Sequence, residues 1–452
     1  MRRGSHAKLG CGHFDRRHRR SHHRRQAAQE ARIKLREPSM TSETITTRCA
    51  IAGGGPAGMM LGYLLARAGV NVLVLEKHAD FLRDFRGDTI HPSTLQVMYE
   101  LGLLDDFLKR PHQELTRLGG IIGDDPVTLA DCSHLPTRCK FIALMPQWDF
   151  LDFLAKPARC YPSFKLRMLA DVDDLIFDGE RVTGLKAKTP GGDLIVHADL
   201  VVGADGRHST VRERAGLKVD DLGAPMDVLW MRLSKRPEDG SQTLGRILPG
   251  RMFVMIDRGD YWQCAYLIPK GGFEEVRRKG LAAFRRSLVE INPALKNRVR
   301  ELASWDDIKL LTVTVDRLQR WYRPGLLCIG DAAHAMSPVG GVGINLAIQD
   351  AVAAANILAA PLRAGHLPET VLAEVQKRRE WPTRMTQRLQ ILIQNAVISN
   401  VLRLQRQLKA PFVVKLLNWF PVLRRIPARL IGMGFRPEHV CSEIRNQSEI
   451  GV

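Results

Sequence analysis

The residues best suited to chemistry fall in three separated stretches. The first is Gly53-Gly54-Gly55-Pro56-Ala57-Gly58, which fits G-x-G-x-x-G through Gly53, Gly55 and Gly58. An apolar run, Thr46–Ala52, precedes it, and a helix with Pro56 at its start follows. Glu76 ends the next apolar run, 18 residues after Gly58. This order is the signature of a βαβ dinucleotide site. Gly53 permits the tight turn, Gly55 lets backbone approach a pyrophosphate, and Gly58 lets helix and strand pack closely. The helix start, with Pro56 and Ala57, offers N–H groups and partial positive charge to phosphates. Glu76, followed by Lys77, would accept hydrogen bonds from an adenosine ribose. A carboxylate there disfavours a 2′-phosphate, so the spacing points to NAD or FAD over NADP.

The second stretch runs from Asp199 to Arg212. An apolar strand delivers Asp205-Gly206 into a turn, and Ser209 is placed to cap a helix starting at Thr210. The third runs from Arg323 to Asn345. A strand presents Gly330-Asp331 at its carboxyl end, where open α/β sheets bind ligands. A loop with Pro338, Gly340 and Gly341 then enters a helix near Gly343. Such a helix start can stabilise negative charge on an electron-rich ring.

The elements that must carry these residues are legible in the pattern. Strands are expected over Thr46–Ala52, Val70–Leu75, Leu194–Val202 and Gly325–Ile329, and helices over Pro56–Ala68, Pro92–Leu101 and Ile344–Leu358. Met226–Leu233, Arg251–Asp257 and Tyr261–Ile268 read as strands, the last two as a hairpin around Asp257-Arg258-Gly259-Asp260. From Val371 onward the chain reads as helical, broken at Pro382, Pro411, Pro421 and Pro427. The fold class is therefore α/β, a doubly wound GxGxxG domain interleaved with a β-sheet domain, plus C-terminal helices.

Composition agrees with an enzyme. The chain has 452 residues, 45% apolar and 25% charged, enough for two or three domains. No apolar stretch reaches the ~18 residues of a membrane span, and the N-terminus has no apolar signal core. Eight scattered cysteines form no C-x-x-C pair, which argues against a zinc site and for a reducing, cytoplasmic setting. The net charge of +19 is uneven: residues 1–40 carry +9, and the span between Glu380 and Glu438 carries ten Lys/Arg and no acid. The rest is neutral, so nucleic acid is not an expected partner. Residues 1–44 read as a basic tail without structure, with Met40 as the expected natural start.

The three stretches, in this order and at these separations, resemble the single-component FAD-dependent aromatic monooxygenases of the para-hydroxybenzoate hydroxylase type, over roughly residues 46–385. The resemblance implies FAD as cofactor, with NADH or NADPH and O2 as co-substrates, and hydroxyl transfer through a flavin C4a-hydroperoxide. By position it implies that Arg86 and Gly87 lie along the ribityl–pyrophosphate region and that Gln147 makes a polar FAD contact. Asp205 would serve a motif shared by FAD and NAD(P)H, and Asp331, after Gly330, would hold the ribityl hydroxyls. Pro338, Gly341, Gly343, Ile344 and Asn345 would line the flavin, with backbone N–H groups of Gly343 and Ile344 at its pyrimidine edge. No nucleophile–base pair is required, and His334 is read as structural. The implied FAD-binding domain comprises residues 45–115, 160–215 and 300–385; the substrate domain comprises 116–159 and 216–299; residues 386–452 form a helical region.

The β-rich centre, with Met226, Trp230, Met231, Arg232, Met252, Met255, Trp262 and Tyr266, would roof a pocket in which an aromatic, polyketide or prenylated hydrophobic substrate is hydroxylated or epoxidised; alternation allows only some of them to point inward. A reductase of the geranylgeranyl-reductase type is the enzymatic alternative. A halogenase is disfavoured, because Cys264-Ala265-Tyr266-Leu267-Ile268-Pro269 lacks both tryptophans of the Trp-x-Trp-x-Ile-Pro motif. A prenyl-group carrier that kept the fold without turnover is the non-enzyme alternative. The basic, Trp-containing segment 411–430 is suited to packing on the body, to an anionic membrane face or to a second subunit of a homodimer.

Overall fold

The computed structural model describes residues 42–82, 89–240, 244–398, 401–402 and 411–442. The tail before residue 42, together with Arg86 and Gly87, lies outside the described residues; Glu43 and Thr44, read as part of the tail, instead begin the first strand, paired with Leu194 and Ile195.

Two sheets organise the chain. The elements of the first layer are β1 (Glu43–Ala52), α1 (Pro56–Arg67), β2 (Val72–Leu75), β3 (Phe164–Arg167), β4 (Gly192–Gly203), β5 (Leu326–Cys328), α2 (Gly343–Ala364) and α3 (Glu369–Ile393). The strands pair in parallel in the order β5-β4-β1-β2-β3. An antiparallel hairpin, Asp171–Asp178 and Arg181–Thr189, extends β4, and Tyr322–Arg323 edges β5. The central runs Cys49–Ala52, Val72–Leu75 and Leu200–Val202 are wholly buried. This is why they read as continuous apolar stretches rather than as alternation. Helices α1 and α2 pack on each other and on β1.

Register matters more than order for function. Ala52 lies opposite both Leu75 and Gly203, and Gly203 lies opposite Cys328. Four strands thus end abreast, and the residues that follow each end share one rim.

The second sheet has the order 308–311, 226–234, 261–269, 251–257, 244–248, 117–122, 125–131. The expected hairpin at Asp257–Asp260 is present, with Asp257 opposite Trp262. One face, with Leu229, Met231, Leu233, Phe253, Met255, Trp262 and Cys264, packs under Phe284, Leu288 and Ile291 of the helix Leu281–Ile291. The other face, with Met226, Val228, Trp230, Met252, Val254, Ala265 and Leu267, packs with Val339 of the glycine-rich loop.

Four further sequence expectations change. Residues 116–159 divide: the hairpin 117–131 joins the second sheet, whereas the helix Gln147–Ala158 packs on α1. Pro382 does not break its helix; α3 runs through it, because Pro382 is buried on the packed face. Packing there outweighs the ~3 kcal/mol an interior proline costs an isolated helix. Val339–Ala364 is long and apolar enough to cross a membrane, contrary to the reading that no stretch is. Most of it lies in the core, where a helix apolar all round belongs. Met231, Met255, Trp262 and Tyr266 face the helix-covered side of the second sheet, away from the loop. Arg232 is on the surface, stacked 3.8 Å over Tyr261 and 3.6 Å from Asp260.

Candidate active site

The rim of the first sheet draws the three stretches together. Gly53 follows β1 with φ +102°, a conformation that L side chains rarely adopt. A Cβ there would sit 2.4 Å from the Ala204 carbonyl oxygen and 2.8 Å from the Asp205 Cα, so the first stretch abuts the second. A Cβ on Gly58 would sit 2.0 Å from the Gly53 carbonyl oxygen; this glycine is required for α1 to start so close to β1. The Ile329 N–H donates to the Gly203 carbonyl (3.0 Å), and a Cβ on Gly330 would lie 3.1 Å from the Ala57 side chain. These contacts join the third stretch to the other two.

Within this junction α1 begins at Pro56 with no side-chain cap and no acidic residue in its first turn. Its leading N–H groups are therefore presented to whatever lies in front of them. The Glu76 carboxylate is buried beside them, accepting from the Gly54 N–H (3.0 Å) and the His78 N–H (3.1 Å). Lys77 is exposed. Gln147 is half-buried at the first position of its helix.

Asp205 is placed differently from a ligand-facing carboxylate. It accepts from the Ser209 hydroxyl and from the Val211 N–H (3.1 Å), while Ser209 caps the same helix through the Arg212 N–H (3.0 Å). Burial pushes the Asp205 carboxyl up, against the pull of these donors. Its visible work is to hold the turn after β4.

The third stretch is held by residues that the sequence patterns did not single out. Asp350, fully buried in α2, accepts from the Gly330 N–H (3.1 Å), from the His334 Nε2 (2.6 Å) and from the Arg379 Nε of α3 (2.9 Å). Burial raises its carboxyl, but the His334 and Arg379 contacts more than offset this and hold it below the usual carboxylate range. Asp350 thereby fixes the turn that carries the half-exposed Asp331. His334 is structural, packed 5.0 Å from the Trp321 ring.

The loop from Ser337 to Gly343, and Asp316 and Ala335 beside it, are held by three amides of one helical face. Gln387 donates to the carbonyls of Asp316 (2.7 Å) and Ala335 (3.2 Å). Gln390 accepts from the Ser337 N–H (3.2 Å) and donates to the carbonyls of Ser337 (3.0 Å) and Val339 (2.8 Å). Gln394 bonds the Ser337 hydroxyl. All three are buried, and their spacing of three and four residues is the signal that could have revealed them. Pro338 begins the turn, and Gly341, at φ +62°, packs on Thr89, whose hydroxyl donates to its carbonyl (2.7 Å).

Helix α2 then starts at Gly343 with no side-chain cap, and a Cβ on Gly343 would meet nothing within 4 Å. Gly343 thus opens α2 without a side-chain cap and beside open space, with Ile344 buried behind it. The Asn345 side chain, expected at the flavin, is committed to protein. It accepts from the His91 N–H (2.9 Å) and the Thr94 hydroxyl (2.7 Å), and donates to the carbonyls of Thr89 (3.3 Å) and Gly341 (3.4 Å). It pins the loop to the segment after residue 88.

Two helix starts without side-chain caps, one of them beside open space, a buried carboxylate next to the other and glycines that let the strand ends and α1 come close together fit a long dinucleotide carrying a pyrophosphate and a ring. The family model described as an FAD binding domain matches residues 46–389. The chain belongs to that family, and its members' fold and cofactor, FAD, are its own. More narrowly, it is an FAD-dependent monooxygenase of the para-hydroxybenzoate hydroxylase type. A 6-methylpretetramide 4-monooxygenase of Streptomyces rimosus is 32% identical over 395 residues, covering 86% of this chain and 94% of the relative. A para-nitrophenol 4-monooxygenase of a Pseudomonas strain is 25% identical over 332 residues, covering 71% and 80%. Among solved structures, the anhydrotetracycline hydroxylase OxyS of Streptomyces rimosus superposes with a TM-score of 0.66 at 25% identity, covering 87% of this chain and 77% of that one. The reductase alternative is not favoured by these relatives.

Proposed function

We propose that this chain inserts one oxygen atom from O2 into a polycyclic aromatic or polyketide-like substrate, with NADH or NADPH as reductant. The observation that carries the reading is the apolar inner face of the second sheet. Val228, Trp230, Met252, Val254, Ala265 and Leu267 are directed, with Val339, toward the loop that leads into Gly343. A flat hydrophobic molecule fits between that face and a ring held at the α2 start. The relatives' substrates, a pretetramide and a nitrophenol by their names, are of this kind. Seven described cysteines are free thiols, which supports a reducing compartment such as the cytoplasm.

The chemistry that FAD supplies when bound is acceptance of a hydride and activation of O2. The chain's own residues would do the rest. Gly53, Gly55, Pro56, Ala57 and Gly58 would carry the pyrophosphate at the α1 start. Glu76 would accept from the adenosine ribose, and Asp331 from the ribityl hydroxyls. The N–H groups of Gly343 and Ile344 would face the developing negative charge of the reduced ring. The strand face would exclude water and orient the substrate. The test is oxygen uptake by the purified holoenzyme with NADH or NADPH across anthrone-, naphthacene- and phenol-type compounds. Polycyclic phenols should stimulate uptake and gain one oxygen by mass; stimulation without product oxygenation would overturn the reading.

A further inference from the structure

Residues 411–433 form a strap over the edge of the second sheet, and its outer side is unexpectedly greasy. The inner side is well fastened. Val414 packs on Ile122, Val127 and Ile247, and Ala428 and Met433 enter the core with Ala130, Cys132 and Leu135. Asn418 stitches the strap to the sheet, accepting from the Thr128 N–H (3.2 Å) and donating to the Pro126 carbonyl (3.1 Å). The His91 ring nitrogen Nδ1 bonds the Ile431 carbonyl (2.7 Å). A segment so anchored would be expected to turn polar groups outward. Instead Phe412, Trp419, Phe420, Val422 and Ile426 are each 56–68% exposed. Phe412 and Trp419 lie edge to face at 6.3 Å, so they form a ridge rather than isolated side chains.

The charges around this ridge have one sign. Lys415, Arg424, Arg425 and Arg429 are the only ionisable groups between 411 and 430, and among the described residues none of them pairs with a carboxylate. Arg424 folds back on the carbonyls of Leu417 (2.9 Å) and Asn418 (3.2 Å), which keeps its charge at the ridge. Arg425 reaches the His134 ring nitrogen (3.4 Å), which leaves its charge unneutralised. Exposed aromatic and aliphatic side chains ringed by cations without a carboxylate partner are the chemistry of a group of residues that enters a lipid headgroup layer.

We infer that this strap docks the enzyme on an anionic bilayer surface, with Phe412, Trp419, Phe420, Val422 and Ile426 entering the headgroup boundary and Lys415, Arg425 and Arg429 meeting lipid phosphates. A second copy of the chain is the poorer occupant, because a symmetric contact would set this cationic patch against itself. The inference stands independently of the substrate reading, since it uses no residue of the flavin site.

The test uses the full-length holoenzyme sedimented with phosphatidylcholine vesicles that contain or lack phosphatidylglycerol. Binding should require the anionic lipid and weaken with salt. The variant Trp419→Ser/Phe420→Ser/Ile426→Ser should lose binding while keeping its flavin and melting temperature, because these side chains are exposed. Arg425→Gln/Arg429→Gln should weaken binding by about fivefold per charge removed. Partitioning equal to wild type in both variants would overturn the inference. So would a concentration-dependent dimer that the triple variant abolishes, in a protein that ignores anionic vesicles.

Discussion

At the scale of single residues, the turns of the candidate site depend on side chains buried behind them. Asp350, fully buried, collects a backbone N–H, an imidazole and a guanidinium. Removing its charge takes from buried Arg379 one of its two carboxylate partners, Glu438 being the other, and leaves His334 facing a neutral amide; breaking a buried pair outright typically costs about 3–5 kcal/mol, which is the upper bound here. Asp350→Asn should therefore lower the melting temperature and release flavin, whereas Asp331→Ala should release flavin with a smaller thermal effect. Equal behaviour of the two variants, followed by flavin absorbance and calorimetry, would show that the Gly330 turn does not depend on Asp350. His91 makes a second prediction. Burial pulls its imidazole down to about 4, against the opposing bond to the Ile431 carbonyl. The unfolded chain, with an ordinary imidazole at about 6.5, binds a proton in that interval that the folded chain refuses. Stability contributed by the neutral ring is thus complete above the unfolded value and is lost as pH falls toward 4. The limiting slope is about 1.4 kcal/mol per pH unit. His91→Asn should flatten the decline in melting temperature between pH 6.5 and 4 relative to wild type.

At the scale of elements, the parallel layer was the most legible part. Its strands are continuous apolar runs, and each ends at a residue type, Gly53, Glu76, Asp205 or Gly330, that announces the rim. The hairpins 117–131 and 171–189 escaped, because their alternation is interrupted by charged and glycine positions. The face of each central strand was not decided by composition either: Met231 and Met255 are as apolar as Trp230 and Met252, and only the position of helix Leu281–Ile291 sorts them. In the same way Asp205 and Asn345 carry the right type and place for a ligand, but local donors and acceptors claim their side chains first. Asp350 escaped because its partners lie on other elements, and the Gln387, Gln390 and Gln394 row left only its helical spacing as a trace, since what the amides hold lies elsewhere in the chain. The row makes a prediction of its own: Gln390→Leu removes the support of Ser337 and Val339, and should lower turnover and flavin affinity more than it lowers the melting temperature. A melting temperature that falls in parallel would make Gln390 part of the core rather than a support of the loop.

At the scale of the whole molecule, the second sheet is closed at its 117–131 edge by the strap 411–433 rather than by another strand. The apolar side chains under it, Ile122, Val127, Ala130, Cys132 and Leu135, would be bared by a chain ending at residue 410. Such a chain should be produced largely as aggregate, since an uncovered edge strand pairs with its neighbours. Recovery of a monomeric, flavin-loaded truncation would show the strap to be an ornament.

The rim where β1, β2, β4 and β5 end abreast has a kinetic side. Its parts come from the beginning, the middle and the last third of the polypeptide, so none of them exists until distant loops have closed. A nascent chain leaving the ribosome therefore cannot acquire its coenzyme piecemeal. With the pyrophosphate and ring held as proposed, capture would follow the arrival of Gly330 and Gly343, and flavin-starved cells would accumulate a nearly finished protein with its most sequence-distant contacts still unsecured.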